Sequence, residues 1–505
     1  MSLARILTRA QVGIESPVVT VEVHLSNGLP SFNIVGLPET SVKESKERVR
    51  SALHNSRFVF PEQRITVNLA PADLPKQGGR YDLAIAVGIL VASGQLNEQA
   101  TQGCEFYGEL ALNGEIRGVT AIIPVVMAAK NEQHRCYIPE QNAGMAQLVE
   151  YQQCIAANTL HALWLDLSGQ ASLPLMDCVH AQPSDLSTHP LLDMSDVKGQ
   201  SMAKRALEIA AAGGHNILFL GPPGTGKSML AQRMPGIMPK MSIEQALQTA
   251  AVYSLTGKQL GLDTWRSRPF RAPHHTCSAV ALVGGSSNPR PGEISLAHNG
   301  VLFLDELPEY ERKVLDSLRE PMETGQVTIS RAAQQVDFPA CFQLIAALNP
   351  SPTGCHTDKR ASPDQVLRYL SKISGPFVDR IDLQIELPRL STQELQSSRQ
   401  EVTSEEIRNR VEAAFAVALN RQGKANARLT TREIETYCVL TPQVAQLLAR
   451  ATEKLNLSPR SYHRIIKVAR TIADLAHRSD ITVPDLKEAL SYRAFERLLG
   501  QLTYS

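Results

Sequence analysis

The chain has 505 residues, which is too long for one hydrophobic core and predicts two to four domains. Hydrophobic residues make up 43% and charged residues 20%, the balance of a globular protein rather than of a disordered chain. A formal net charge of +1 excludes a global field that would attract nucleic acid or a membrane, so any such surface must be a local patch.

The cysteines and the first residues indicate a cytoplasmic protein. The eight cysteines are scattered and no two form a CxxC pair, which favours reduced, mostly buried thiols over a disulfide framework. The opening residues turn polar too soon for a secretory signal, and no apolar run approaches the roughly 20 residues that a membrane span requires. We therefore expect cytoplasmic localisation and no membrane partner.

The first block, residues 1–167, mixes strands with helices. Val18–Val23 and Ile65–Leu69 are β-branched runs in which apolar and polar residues partly alternate, as in half-buried strands. Helical stretches lie between the strand candidates, notably Ser41–Leu53 and Leu83–Ala92. The pattern predicts an α+β or α/β domain.

Residues 168–192 are rich in Ser, Pro, Asp and His without sustained periodicity, and we interpret them as a linker. Residues 193–390 carry the nucleotide motifs described next. Residues 391–505 are predicted to be helical throughout, because hydroxyl caps and prolines mark several helix starts. These starts are Thr403 with Glu406, Thr430 with Glu433, Thr441 before Pro442, and Ser458 before Pro459.

A phosphate-binding loop follows the apolar strand candidate Asn216–Leu220. The match to G-x-x-x-x-G-K-[ST] requires glycines, because only they let the backbone wrap phosphates with its N–H groups pointing inward. We expect Lys227 to reach the β- and γ-phosphates of ATP and Ser228 to offer its hydroxyl to Mg²⁺. The predicted ATP-binding residues are Gly221, Pro222, Pro223, Gly224, Thr225, Gly226, Lys227, Ser228 and Met229.

A second acidic element follows another apolar strand candidate, Gly300–Leu304. Asp305 is the expected Mg²⁺ holder, and Glu306 is the expected general base that activates the attacking water. Without the upstream loop, the same pair would equally fit a charged helix start after a strand.

Three further polar residues are candidates for the same site. Asn349 ends the apolar strand candidate Gln343–Leu348 and can touch the γ-phosphate and the attacking water; the alternative is an Asn-Pro turn. Arg380 stands between apolar residues and can enter a neighbour's site in a ring; the alternative is a local ion pair with Asp379. Arg460, in the C-terminal helical part, can contact the bound phosphate; Arg464 is the alternative candidate for this contact.

These motifs, together with the residues between them, resemble the ComM/YifB family of magnesium-chelatase-like AAA+ proteins. The resemblance covers nearly the whole chain and is most specific over 195–385. It is carried by Phe270–Thr276, Gly284-Gly285, Pro291–His298, Leu304–Glu309 and Gly199-Gln200. It implies an α/β fold with an AAA+ P-loop core and a C-terminal helical lid.

The resemblance also implies a hexameric ATPase ring with an insert in helix 2, about 270–298, and a hairpin before Asn349, about Val327–Phe338, with Arg331 near its tip. In relatives such loops project toward the ring pore. Family members resemble DNA helicases that drive branch migration during natural transformation. The implied partners are single-stranded and branched DNA, a homo-hexamer and recombination proteins, with ATP and Mg²⁺ as cofactors.

One departure from the family bears on metals. Many members carry a cysteine-rich stretch after the asparagine, whereas this chain has only Cys355 and His356 there, too few for a four-ligand zinc site. We therefore predict no zinc. His274 and His275 lack clustered partners and are interpreted as polar contacts of a loop.

The N-terminal block resembles the Lon-protease-like, ribosomal S5 domain 2-like domain over residues 71–92, but Arg80 holds the place of the serine nucleophile. Arginine stays protonated and cannot attack a carbonyl, so we expect no proteolysis. Lys76 and Arg80, with the basic residues of 43–50, suggest a DNA-contacting surface. Subunit assembly is the chief alternative for this domain.

Three functions remain open from the sequence. The leading one is an ATP-dependent DNA translocase or helicase. The second is a magnesium-chelatase motor acting on a porphyrin with partner subunits, and the third is an ATP-switched DNA-binding assembly factor. An intact Glu306 argues against the third, because a pure switch needs no hydrolytic base.

Overall fold

A computed structural model describes most of the chain. The described residues are 2–36, 39–176, 192–257, 264–285, 289–331, 334–354, 361–391, 393–394, 401–455 and 457–504. The chain divides into two compact units: Met1–Leu186 with Glu244–Trp265 and Ser330–Phe338, and Ser187–Ile243 with Arg266–Ile329 and Pro339–Ser505. Residues 177–191 of the predicted linker lie outside the described residues, and the predicted domain boundaries stay predictions.

A seven-stranded mixed sheet organises the first unit, with the order β3-β4-β2-β1-β5-β8-β9. β2 pairs antiparallel with β1 and β4, and the other neighbours run parallel. A short antiparallel pair joins β6 and β7. Its strands are β1 (Ser2–Arg9), β2 (Val18–Ser26), β3 (Ser31–Val35), β4 (Arg64–Ala70), β5 (Cys104–Phe106), β6 (Glu109–Leu110), β7 (Ile116–Arg117), β8 (Arg135–Pro139) and β9 (Cys154–Ala157). The alternation expected for Val18–Val23 and Ile65–Leu69 is confirmed, since every second residue of β2 and β4 is buried.

The helices of the first unit cover the sheet. They are α1 (Thr40–Lys43), α2 (Ser45–Asn55), α3 (Asp82–Ala92), α4 (Ile122–Glu132), α5 (Ala143–Gln147) and α6 (Leu160–Leu167). The predicted helices are confirmed, the first as α1 and α2 and the second as α3. α3 is apolar on all sides and almost wholly buried. Gly88 lets it approach β2, because a Cβ there would lie 2.5 Å from a methyl of Val23.

A five-stranded sheet, parallel throughout, forms the centre of the second unit in the order β11-β12-β15-β10-β16. Its strands are β10 (Ile217–Leu220), β11 (Phe270–Arg271), β12 (Val301–Leu304), β15 (Gln343–Leu348) and β16 (Leu383–Glu386). All residues of β10, β12 and β15 are buried, as expected for apolar strands covered on both faces. A separate hairpin pairs β13 (Gln326–Arg331) with β14 (Gln334–Pro339).

Helices lie before and between these strands in the chain, and the one at Ile243–Ser254 belongs to the first unit except for its first residue. They are α7 (Ser201–Gly213), α8 (Lys227–Gln232), α9 (Met234–Ile237), α10 (Ile243–Ser254), α11 (Ala279–Val283), α12 (Glu293–Leu296), α13 (Arg312–Ser317), α14 (Arg319–Thr324), α15 (Pro363–Leu370) and α16 (Gly375–Val378). The helix-2 insert expected at 270–298 stays a prediction, and its first two residues form a strand. Phe270–Arg271 forms the edge strand β11, since the Phe270 ring stacks on Phe303 of β12. Residues 286–288 of the insert lie outside the described residues.

The C-terminal part is helical. Its helices are α17 (Ser404–Gln422), α18 (Thr431–Tyr437), α19 (Pro442–Leu455), α20 (Pro459–Leu475), α21 (Val483–Ser491) and α22 (Ala494–Tyr504). The capping boxes predicted at Thr403 and Thr430 and the hydroxyl cap at Ser458 are confirmed. Among the described residues, no helix is both long and apolar enough to cross a membrane.

A buried polar network joins β16 to α20. Asp382, just before β16, pairs with Arg464 of α20 at 2.6 Å and lies 3.4 Å from the Nδ1 atom of His215. The Nε2 atom of His215 lies 2.8 Å from the hydroxyl of Thr471, which accepts a hydrogen bond from Asn426. Burial opposes ionisation of Asp382, but Arg464 and His215 hold its pKa well below the usual range.

Candidate nucleotide site

The loop between β10 and α8 has the backbone shape that a phosphate cradle needs. Gly224 and Gly226 have φ values of +81° and +89°, which residues with a Cβ rarely adopt. Gly221 approaches the chain after β16, where an added Cβ would lie 2.7 Å from the carbonyl oxygen of Leu387. The backbone conformation of this loop therefore requires glycine at these three positions. Met229, one turn into α8, is half exposed.

The ammonium group of Lys227 is buried against this loop. Its Nζ atom donates to the carbonyl oxygens of Gly221 and Pro222 at 2.7 and 3.0 Å and to Oδ1 of Asn349 at 3.1 Å. Burial lowers the pKa of Lys227, and the nearby charges of Asp305 and Glu306 oppose that change. The structure thus brings two predicted site residues, Lys227 and Asn349, into direct contact.

Ser228 and Asp305 form a second direct contact. The Ser228 hydroxyl donates to Oδ2 of Asp305 at 2.8 Å, although the two residues come from different strand–helix connections. A hydroxyl and a carboxylate oxygen this close suit Mg²⁺, which takes oxygen ligands and keeps several waters when it binds together with a nucleotide. The pair therefore fits the ion that the sequence predicted.

Glu306 follows at the carboxyl end of β12 with a left-handed backbone, φ +51°. Its N–H donates to Oδ1 of Asp305 at 2.9 Å, so the main chain turns around that carboxylate. The Glu306 side chain is 52% exposed, and its Oε2 atom lies 3.1 Å from Nδ1 of His275. This contact was not expected from the sequence. The sequence carried one indication of it. His275 follows β11 and Glu306 follows β12, and the two parallel strands end on the same side of the sheet.

The arginine candidates lie in different environments. The Arg380 side chain is only 6% exposed and pairs with Glu323 at 2.5 Å, so the partner expected at Asp379 is replaced by one on α14. Burial, together with the charges of Arg319, Arg460 and Arg464, lowers the pKa of Arg380 against the effect of Glu323. Arg460 is exposed in the first turn of α20. Arg464 is held by Asp382 and donates to the carbonyl of Arg380.

The structure buries Lys76 and Arg80, two residues predicted to contact DNA, and their contact with DNA stays a prediction. Lys76 is completely buried and donates to the carbonyl oxygen of Pro71. Arg80 is buried too, donating to Oε1 of Gln11 and the carbonyl of Thr120, both at 2.9 Å. Desolvation lowers the pKa of both groups. Both cations therefore have protein oxygens as partners in this structure.

Other predicted residues fall at the limits of the described chain. Arg331 is the last residue of β13, and its side chain lies outside the described residues. Cys355 and His356 also lie outside them, so the absence of zinc stays a prediction.

Glu105, Glu132 and His134 are the described residues whose ligand atoms come close enough to hold a metal ion. Arg9 occupies this cluster, at 2.6 Å from Glu105 and 3.0 Å from Glu132. Burial favours the neutral acid, but hydrogen bonds from Arg9, Tyr107 and His134 outweigh it and lower the pKa of Glu105. The cluster is therefore an ion-pair network rather than a metal site.

The parallel sheet, with a phosphate loop after β10 and an acidic pair after β12, defines a P-loop nucleotide-binding protein of the AAA+ type. Residues 193–395 match the family model described as magnesium chelatase, subunit ChlI. Residues 21–142 match subunit ChlI of Mg-chelatase, and residues 401–493 match magnesium chelatase, subunit ChlI C-terminal.

Several similar proteins match the chain over its full length or nearly so. Competence protein ComM of Haemophilus influenzae is 53% identical over 507 residues, covering 100% of both chains. Proteins named YifB from Salmonella typhimurium and Escherichia coli are 49% and 48% identical, each covering 99% of both chains. The chain belongs to the ComM/YifB family of magnesium-chelatase-like AAA+ proteins.

Proposed function

We propose that the protein is an ATPase that works as a DNA translocase or helicase in a homo-hexameric ring. One observation carries the ATPase part: Lys227 contacts Asn349, and Ser228 contacts Asp305, at the carboxyl ends of three adjacent parallel strands. Nucleotides bind at this edge of parallel sheets, and four groups suited to phosphate, Mg²⁺ and water meet there.

Each residue then has a role in hydrolysis. The loop N–H groups and Lys227 would bind the phosphates, while Ser228 and Asp305 would hold Mg²⁺, which would neutralise charge on the phosphate oxygens. Asn349 orients the attacking water. Glu306 accepts a proton from that water as its oxygen attacks the γ-phosphorus. The bond from phosphorus to the β–γ bridging oxygen breaks, and ADP leaves with that electron pair.

The DNA part of the proposal rests on the family. A relative that is 53% identical over its full length is named a competence protein, which favours work on incoming DNA. We propose that this chain promotes branch migration in homologous recombination during natural transformation. Its partners would be single-stranded and branched DNA and other recombination proteins. The Lon-protease-like assignment of the N-terminal unit belongs to the same proposal, with subunit assembly as a role that does not need Lys76 or Arg80 to be exposed.

Assembly into a ring would give Arg380 a role in ATP hydrolysis by a neighbouring subunit. In the described chain its guanidinium is held by Glu323 and donates to the carbonyl oxygen of Pro376 at 2.6 Å. Arginine fingers act on the nucleotide of a neighbouring subunit by neutralising charge in the transition state. Release from Glu323 on assembly would supply that charge. Arg460, exposed at the start of α20, is the proposed contact to phosphate from the helical part.

A second candidate is a chelatase motor that drives magnesium into a porphyrin with partner subunits. The three family models favour it, because all three are described by a magnesium-chelatase subunit. Full-length coverage by a relative named a competence protein favours the DNA motor instead. The two candidates share the ATPase site and differ in what stimulates it.

The test is ATP hydrolysis by the purified full chain with and without single-stranded DNA, with Glu306→Gln as the matched blank. We expect DNA to stimulate turnover and the variant to bind ATP without hydrolysing it. Turnover that needs Glu306 but is not stimulated by DNA would support the proposed ATPase and contradict the proposed DNA motor. A porphyrin with partner subunits would then be the next ligand to test. Turnover that survives in Glu306→Gln would contradict the assignment of the base.

A further inference from the structure

The first unit has a groove at the amino ends of β3 and β4, with α2 as its other wall. The loops that precede the two strands meet there, because the strands run parallel with Ser31 opposite Arg64. β3 is the last strand on this side of the sheet, so the groove lies at the sheet's margin. Its volume is about 420 Å³, which is within the range of small-ligand sites.

Two aromatic rings line this groove. Phe32 and Phe60 are half-buried, and their ring centroids lie 6.1 Å apart. The backbone next to Phe60 is held in place by the side-chain amide of Gln95, which donates to the carbonyl oxygen of Val59 at 2.8 Å and accepts from its N–H at 2.9 Å. A ring on a fixed backbone loses little conformational entropy when a flat group stacks on it.

Charged side chains line the same groove. Lys46 and Arg50 are four residues apart on α2 and therefore lie on one face of the helix. The Arg50 guanidinium lies 5.6 Å from the centroid of the Phe60 ring, within the range of a cation–π contact. Glu47 and Glu62 line the groove too, so it is not a purely cationic phosphate site. Their carboxylates can accept hydrogen bonds from the amino groups of nucleobases.

We propose that this groove binds an unpaired base of single-stranded DNA; the inference rests on the proposed function as a DNA motor. The base stacks on Phe60 or Phe32, while Lys46 and Arg50 neutralise the flanking phosphates. Duplex DNA does not suit the groove, because its bases stack on one another and offer no free face to a side chain. In a DNA motor, the first unit would thus hold a strand that has been separated from its complement.

The experiment uses the full chain and compares two groove variants with two matched controls. Phe60→Leu keeps an apolar side chain but removes the ring face, and Lys46→Gln removes one charge. The control Phe58→Leu changes a half-buried ring that packs on Trp164 at 5.6 Å, outside the groove. The control Lys43→Gln removes an exposed charge at the end of α1, also outside the groove.

Two readouts locate the strand. The first is the Kd for a single-stranded oligodeoxynucleotide, measured over a range of salt concentrations. The second is photo-crosslinking of the wild-type chain to the same strand carrying 5-iododeoxyuridine, with the crosslinked residues identified by mass spectrometry. The crosslink does not depend on the folding of any variant.

We expect Phe60→Leu to raise the Kd roughly ten-fold, because one base–aromatic stack is lost. Lys46→Gln should reduce the slope of log K against log salt by about 0.7, the effect of one phosphate contact on a single strand. Both controls should match the wild-type chain, and the crosslinked residues should include Phe32 or Phe60.

Equal losses in Phe60→Leu and Phe58→Leu, or crosslinks confined to residues outside 30–63, would overturn the proposal. Wild-type binding by both groove variants would overturn it too, and is the result expected if the groove binds a protein segment instead. If any of these results is found while single-stranded DNA still binds the wild-type chain and stimulates its ATP hydrolysis, only this inference fails. If the wild-type chain neither binds nor responds to the strand, the proposed DNA motor fails with it.

Discussion

Replacing His298 by asparagine should remove a pH dependence of stability from the nucleotide-binding unit. His298 is buried, and its Nδ1 atom accepts a hydrogen bond from the N–H of Cys341 at 3.0 Å, just before β15. Burial, reinforced by the charge of Arg428, lowers its pKa from 6.5 to about 4. The unfolded chain therefore takes up a proton more readily, and stability that is present above pH 6.5 is lost as pH falls toward 4. Between pH 7 and pH 5 the loss is about 2 kcal/mol, or roughly twenty-fold in the opening equilibrium.

Hydrogen exchange of the slowest β15 amides measures this loss without requiring the whole chain to unfold in one step. In His298→Asn, the amide oxygen replaces Nδ1 as acceptor but does not titrate. Comparing the two proteins at the same pH cancels the intrinsic exchange rates. We expect the wild-type exchange rate, relative to the variant, to rise roughly twenty-fold from pH 7 to pH 5. A ratio that stays constant across this range would refute the reasoning.

Two predictions concern the proposed nucleotide site. Lys227→Ala should weaken ATP binding at least ten-fold in a fluorescent-nucleotide titration, because a charged group that hydrogen-bonds phosphate is lost; unchanged affinity would contradict its role. Arg380→Ala should lower ring turnover on the order of 10³-fold. Mixing the two inactive variants should restore ATP hydrolysis, since the first still supplies Arg380 and the second still binds ATP, whereas no recovery would count against action on a neighbour.

The strands around the nucleotide site were predictable because their signals are local. β15 was expected at Gln343–Leu348 and forms there, since five consecutive apolar residues followed by Asn-Pro indicate a buried strand that ends in a turn. The same holds for the loop after β10, where the glycines and Lys227 are fixed by phosphate geometry. Close pairing of Ser228 with Asp305 then follows from the parallel strand order.

Contacts between distant residues were not predictable from the sequence alone. Glu323 lies 57 positions before Arg380, and nothing local indicates that α14 would hold that side chain. Lys76 and Arg80 were expected to be exposed because they are charged. The fold instead surrounds Arg80 with oxygens from Gln11 and Thr120, which come from other elements. Charge in a sequence predicts the need for a partner, while the identity of that partner depends on packing.

The network between β16 and α20 couples the C-terminal helices to the parallel sheet. Pulling α20 away from the sheet would take Arg464 from the buried carboxylate of Asp382 and Thr471 from the ring of His215, at a cost on the order of several kcal/mol. Movement of α20 relative to β16 is therefore costly. We expect a displacement of β16, the strand that follows Arg380, to move α20 with it. Arg460 lies in the first turn of α20 and Leu475 ends it, so we expect a shift at the proposed phosphate contact to be carried along the whole helix.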